Sequence, residues 1–236
     1  NRTHYLLEGE DYKSISPTAR INILMLYPEN PISKVLKETM DAMITKFMIN
    51  QSEPVITPKL LMENIVFNFF DSYIKTTDGI EDLTNVASFN WQKEIAMEVL
   101  CNQQHILSLR FSKYAFTGGA HGISIMQHRV FNLKKNTTLA LSDFLIPGSE
   151  EELEKILDNK LRKLNGLLNE EKLDEAGFLV EAIKPSDNFY VNTSGIGFFY
   201  NVYEIAPYAS GTTELFIPFR EINHLLKNDH PFAWIE

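Results

Sequence analysis

The sequence predicts an α+β protein: an antiparallel β-sheet with helices packed on it, built from an N-terminal strand–helix–helix part and a larger sheet-containing part. Three observations carry this expectation. Between residues 33 and 75 apolar residues recur with the 3.6-residue period of a helix. From Phe89 onward the period changes to 2, as in strands with one covered face. A charged amphipathic stretch at 149–165 then separates this block of strands from a later set. Strands that come in blocks, rather than alternating singly with helices, give an antiparallel sheet.

In chain order, residues 1–19 are polar and read as irregular. Residues 20–27 read as a strand stopped by Pro28 and Pro31. Ser33 is placed to cap a helix whose inner face is Leu36, Met40, Met43, Ile44, Phe47 and Met48. Thr57-Pro58 opens a second helix, an oxygen cap followed by proline at the first position, with Leu61, Ile65, Phe69, Tyr73 and Ile74 inward. Strand alternation then places Ile95, Met97, Val99 and Cys101 on one face. A turn at Asn102-Gln103 leads to Leu107, Leu109 and Phe111. A glycine-rich corner follows, then a third strand over 121–133 whose apolar parity shifts between Ile125 and Val130, the mark of a bulge.

After a polar turn at 134–137, residues 139–145 lead out of the sheet. The helix at 149–165 turns Leu153, Ile156, Leu157, Leu161 and Leu164 inward, and its Glu150–Glu152 start is favourable against the helix dipole. Strands at 189–192 and 196–205 form a hairpin, 214–218 a short strand and 219–226 a last helix. The expected organisation is residues 1–88 as a strand and two-helix subdomain and 89–236 as the sheet domain, packed as one compact unit.

The composition excludes several functions. Over 236 residues the net charge is −9, which disfavours nucleic acid or an anionic membrane surface, since both require a basic patch. No apolar run approaches the ~20 residues that span a bilayer. The single cysteine, Cys101, excludes an internal disulfide and reads as a buried thiol. No cofactor is implied. The six histidines are scattered, H-E-x-x-H and C-x-x-C do not occur, and no metal site is expected.

The candidates for chemistry are few. The corner YAFTGGAHG (114–122) sets Gly118, Gly119 and Gly122 around His121, beside Tyr114. Its backbone amides would suit an anion nest; glycines in a strand corner also serve geometry alone. Glu204 ends an aromatic strand next to Pro207 and Tyr208, placed to bind a polar ligand or to hold its own loop.

Two segments carry a family resemblance: YAFTGGAHG with FNLKKNTTLALSDFL (131–145), and FFYNVYEIAPYASG (198–211) with LFIPF (215–219). Both resemble the bacterial domain found in the extracytoplasmic part of RsiV-type anti-sigma factors, which act as lysozyme receptors. Similar domains precede the catalytic domain of PdaC-type peptidoglycan deacetylases. The likeness covers about residues 89–226, and 20–75 looks like the family's N-terminal part with weaker motifs. It implies an extracytoplasmic, non-catalytic binding domain, lipid-anchored through a removed leader, with a lysozyme-like protein or peptidoglycan as partner. The sigma-binding segment and deacetylase domain of those proteins have no counterpart here, so neither activity is implied. The candidate ligand-binding residues are then Tyr114, Gly118, Gly119, His121, Glu204 and Tyr208, with Gly122, Pro207 and Gly211 as structural motif and no catalytic residue. The alternative is an enzyme on cell-wall sugar with His121 and Glu204 as acid and base. The two motif segments are expected to meet in space.

Overall fold

The structure, a computed structural model, describes residues 1–7, 16–27, 34–49, 57–80 and 86–234. The proline stop at Pro28 and Pro31, the Ser33 cap and the side chains of Leu36 and Met48 lie outside the described residues. The fold is α+β as expected, with a six-stranded sheet in the order β1-β2-β3-β4-β5-β6 and a three-stranded sheet β7-β8-β9. The chain divides into two compact units, residues 1–97 with 111–125 and residues 98–110 with 126–236.

The first unit begins with β1 (Arg2–Tyr5), antiparallel to β2 (Thr18–Leu24). This corrects the irregular reading of residues 1–19 at Arg2–Tyr5 and at the start of β2, while 8–15 lie outside the described residues. A four-residue polar strand shows no alternation to read, and its ladder comes from β2. In turn β2 runs parallel to β3 (Trp91–Gln103), an exception to the otherwise antiparallel expectation; the two helices between them provide the crossover such a pair needs.

Helix α1 spans Lys34–Ile49 and α2 spans Pro58–Thr77. The Thr57 side chain accepts the Leu60 N–H at 3.2 Å, so the expected cap is in place. Leu61, Ile65, Phe69, Tyr73 and Thr77 form the buried row of α2, while Ile74, expected inward, is exposed. Tyr73 meets Trp91 edge-on at 5.4 Å and His4 at 5.8 Å. Burial pushes its phenol up to about 12, and among the described residues its hydroxyl has no hydrogen-bond partner.

Strand β3 turns into β4 (Ile106–Phe116) at Gln104 and His105, two residues later than expected. Both have positive φ, 48° and 68°, which a two-residue turn between right-twisted strands requires. Neither is Gly or Asn, so no turn signal marked them.

In the second unit, Cys101 is buried as expected and burial raises its thiol pKa, whereas Val99 is exposed. Strand β5 covers Ile123–Asn132 and pairs with the short β6 (Thr137–Thr138). Helix α3 (Glu150–Asn165) buries Leu153, Leu157 and Leu161 and ends at Gly166 in the left-handed conformation, φ 68°. Leu164 is exposed, because it lies at the rim of the apolar stripe.

Strands β7 (Phe189–Val191), β8 (Gly195–Tyr200) and β9 (Thr213–Pro218) make an antiparallel meander. Gly195 is required by this packing, since a Cβ there would lie 2.1 Å from the Ile217 carbonyl oxygen. Strand β8 stops at Tyr200, five residues short of expectation, and 201–206 is a turn. The last helix, α4 (Phe219–Ile222), gives way to a 3-10 turn at Asn223–Leu225. The meander, α3, α4 and Phe232 enclose one apolar core containing Phe144, Phe189, Phe198 and Ile217.

Candidate binding site

The glycine corner belongs to the first unit and proves to be built for geometry. Gly118 and Gly119 both have φ +92°, in the region that disfavours side chains, and a Cβ on Gly118 would sit 3.0 Å from the Ser88 carbonyl oxygen. Gly122 has ordinary backbone angles, yet a Cβ there would come within 2.5 Å of the Tyr114 ring and hydroxyl. The tyrosine therefore lies flat on Gly122, and the pair is one packing unit. His121 is exposed, with Nδ1 3.3 Å from the Gly122 carbonyl oxygen.

Glu204 belongs to the second unit, in the turn after β8. Its Oε2 accepts the Asn201 N–H at 2.7 Å and its Oε1 the Asn201 Nδ2 at 3.3 Å, so the carboxylate holds its own loop. Tyr203, at φ 69°, and Tyr208 bring their rings to 5.9 Å. Pro207 precedes the 3-10 turn Tyr208–Ser210, which Gly211 ends at φ 73°. The structure thus joins Tyr114 to Gly122 and Tyr203 to Tyr208, while His121 and Glu204 fall in different units.

Sequence reading missed a pair of asparagine clamps. The N–H groups of Met126 and His128 point to the same edge of β5. Asn201 Oδ1 accepts the first at 2.8 Å and Asn188 Oδ1 the second at 2.7 Å. Both Nδ2 groups donate to the Met126 carbonyl, at 3.0 and 2.9 Å. Two side chains thereby complete a ladder that has no strand at that point. His128, expected only as one of the scattered histidines, is buried between the Tyr190 and Phe199 rings, at 5.1 and 5.3 Å, with Nδ1 3.0 Å from Asn188 Oδ1. Burial holds its pKa below the ordinary histidine value, outweighing the asparagine hydrogen bond.

One feature with the capacity to take a ligand is a groove of about 630 Å³ in the first unit. Its floor is Ile21 and Ile23 of β2 with Met62, Val66 and Phe70 of α2, and Phe67, 68% exposed, stands at its side. Arg2, Lys59, Glu63 and Asp71 supply charges of both signs. No sequence argument singled out this groove. The available signal was a helix carrying more apolar residues than one buried row requires. Among the described residues no group of three or more His, Cys, Asp or Glu is arranged to hold a metal ion, and no helix is long and apolar enough to cross a membrane.

Comparison with known proteins agrees with the fold. Residues 142–220 match the family model described as "Protein of unknown function (DUF3298)", and residues 28–124 match one described as "Deacetylase PdaC". No curated protein matches the chain. A crystal structure of a DUF3298 family member from Bacteroides fragilis NCTC 9343 superposes with a TM-score of 0.80 at 24% identity, covering 100% of this chain and 94% of the other. A DUF3298 family protein from Pseudomonas aeruginosa PAO1 gives 0.62 at 19% identity, covering 96% and 92%. At these identities the likeness establishes the fold. The two family-model matches and the two neighbours together support an uncharacterised bacterial domain family of α+β fold.

Proposed function

We propose that this chain is a non-catalytic binding domain of the bacterial cell envelope, recognising a lysozyme-like protein or a cell-wall glycan. The observation that carries the reading is the groove along α2, whose apolar floor and exposed Phe67 form a concave surface of ligand size. Its apolar character favours a protein partner over a glycan. The net charge of −9 suits a basic partner, which it would steer toward the domain. His121 and Tyr208 are further contact candidates. An extracytoplasmic position, with a lipid anchor on a removed leader, belongs to the same reading.

Calorimetric titration with hen lysozyme at moderate salt tests the protein version, and saturable heat is the expected result. Sedimentation with purified peptidoglycan tests the glycan version. Absence of binding in both assays overturns the proposal.

A second reading is favoured by the "Deacetylase PdaC" description of the model that matches 28–124. It makes the chain an enzyme on cell-wall sugar. It predicts release of acetate or sugar from peptidoglycan. Binding without released product rejects it.

A further inference from the structure

A second cavity, of about 510 Å³, lies wholly within the second unit where three segments converge. The β3–β4 turn contributes Gln104 and His105, the β5–β6 turn contributes Asn132, Lys134 and Lys135, and the C-terminal stretch contributes Lys227. Backbone hydrogen bonds tie the two turns to each other and the C-terminal stretch to Phe144. The Leu133 N–H donates to the His105 carbonyl at 2.7 Å and the Lys227 N–H to the Phe144 carbonyl at 2.8 Å. Asn132 Oδ1 accepts the N–H groups of Lys134 and Lys135, at 3.1 and 3.0 Å, and so fixes the turn that presents both lysines. Lys227 Nζ is held on the Ser142 carbonyl at 2.7 Å.

The charge of this wall runs against that of the chain. Among the described residues, the ion pairs of this unit use Arg110, Lys160, Arg162, Lys172, Lys184 and His224, leaving Lys134 and Lys135 without a carboxylate. Two carboxylates also line the cavity, Asp143 and Asp229. Asp143 is committed, since its Oδ2 accepts the Ala140 N–H at 2.7 Å. Three lysines and two aspartates thus line a polar cavity, a local excess of one positive charge in a protein of net charge −9.

We infer that this cavity binds an anionic sugar, with the lysines taking its carboxylate or phosphate. Ammonium groups are point-charge donors to such oxyanions. A bare ion needs far less room, whereas the volume is in the range of small-molecule sites. Asn132, Gln104 and Thr137 supply the uncharged hydrogen-bonding groups that sugar hydroxyls require. The inference stands apart from the α2 groove and does not depend on it. The anion has two sources, a cell-wall sugar acid or a free sugar phosphate.

The test is titration of the whole chain, by calorimetry or amide chemical shifts, with N-acetylmuramic acid, glucose 6-phosphate and neutral N-acetylglucosamine. At least one charged sugar is expected to bind about tenfold or more tighter than the neutral one, and which one does so identifies the source. Lys134→Gln/Lys135→Gln should weaken that binding about tenfold or more, while Lys155→Gln/Lys163→Gln on α3 leaves it unchanged. Equal binding of charged and neutral sugars, no saturable binding of either anion, or an equal loss in the α3 variant overturns the inference.

Discussion

Helices α2 and α3 rest on the same i, i+4 row of buried residues and differ in what they carry beyond it. On α3 the row is Leu153, Leu157 and Leu161, and the remaining face is charged, with Asp158–Arg162 and Glu221–Lys160 ion pairs. Such a helix is finished once its stripe is covered. On α2 the row Leu61, Ile65, Phe69 and Tyr73 is equally buried, yet Met62, Val66, Phe67, Phe70 and Ile74 remain and line a groove. Apolar area beyond what the core uses is costly to leave in water, and a contiguous patch of it marks an interaction surface. The difference teaches that periodicity locates the core face, while the surplus beyond it locates function.

The largest effect is expected on the finished helix. Leu157→Ala removes a side chain with no exposure and should destabilise the protein by about 2–5 kcal/mol in denaturant unfolding, through lost burial and a cavity. A cost below about 1 kcal/mol would mean that the α3 side of the comparison is wrong.

Two intermediate effects test whether polar and glycine positions are as structural as they look. Asn188→Ala leaves the His128 N–H without its acceptor and should cost about 1–3 kcal/mol. Gly122→Ala forces a methyl into the Tyr114 ring and should cost about 1–3 kcal/mol. In a Tyr114→Ala background the same change should be nearly neutral; equal cost in both backgrounds would remove the packing account of the corner.

A smaller effect comes from pH. Burial holds the folded-state pKa of His128 below 6.5, so as pH falls the unfolded chain takes up the proton first. Stability is full above about 6.5 and declines through the window between 6.5 and the folded value. His230 is displaced in the same direction by burial, so a His128→Gln variant should show a shallower, not flat, dependence of Tm between about pH 7.5 and about pH 5. An unchanged slope would contradict the buried neutral imidazole.

The smallest stability effect is predicted for the surplus face. Phe67→Ala should stay within about 0.5 kcal/mol of wild type, because the ring is mostly in water already.

Much of the fold was legible because its signals are local. The Thr57-Pro58 cap and the α3 stripe depend on neighbours in sequence and the structure has both, while the switch to strand period read at Phe89 comes at Trp91, after a 3-10 turn over Val86–Phe89. Strand β1 and the Gln104-His105 turn were not legible, since the partner strand determines the first and sheet twist forces the second. Glu204 read as a strand end, whereas the turn it occupies is held by Asn201, which reaches back to Met126, 75 residues earlier. The asparagine clamps and both cavities form only when distant segments meet. Side chains that complete a ladder leave no periodic trace.

The central claim is that the α2 groove is a binding surface, and Phe67→Asp tests it most directly. Titration of wild type and variant with hen lysozyme, in parallel by calorimetry, should show saturable binding for wild type and a loss of about tenfold or more, roughly 1.4 kcal/mol, for the variant at unchanged Tm. Equal binding by the two proteins would contradict the claim.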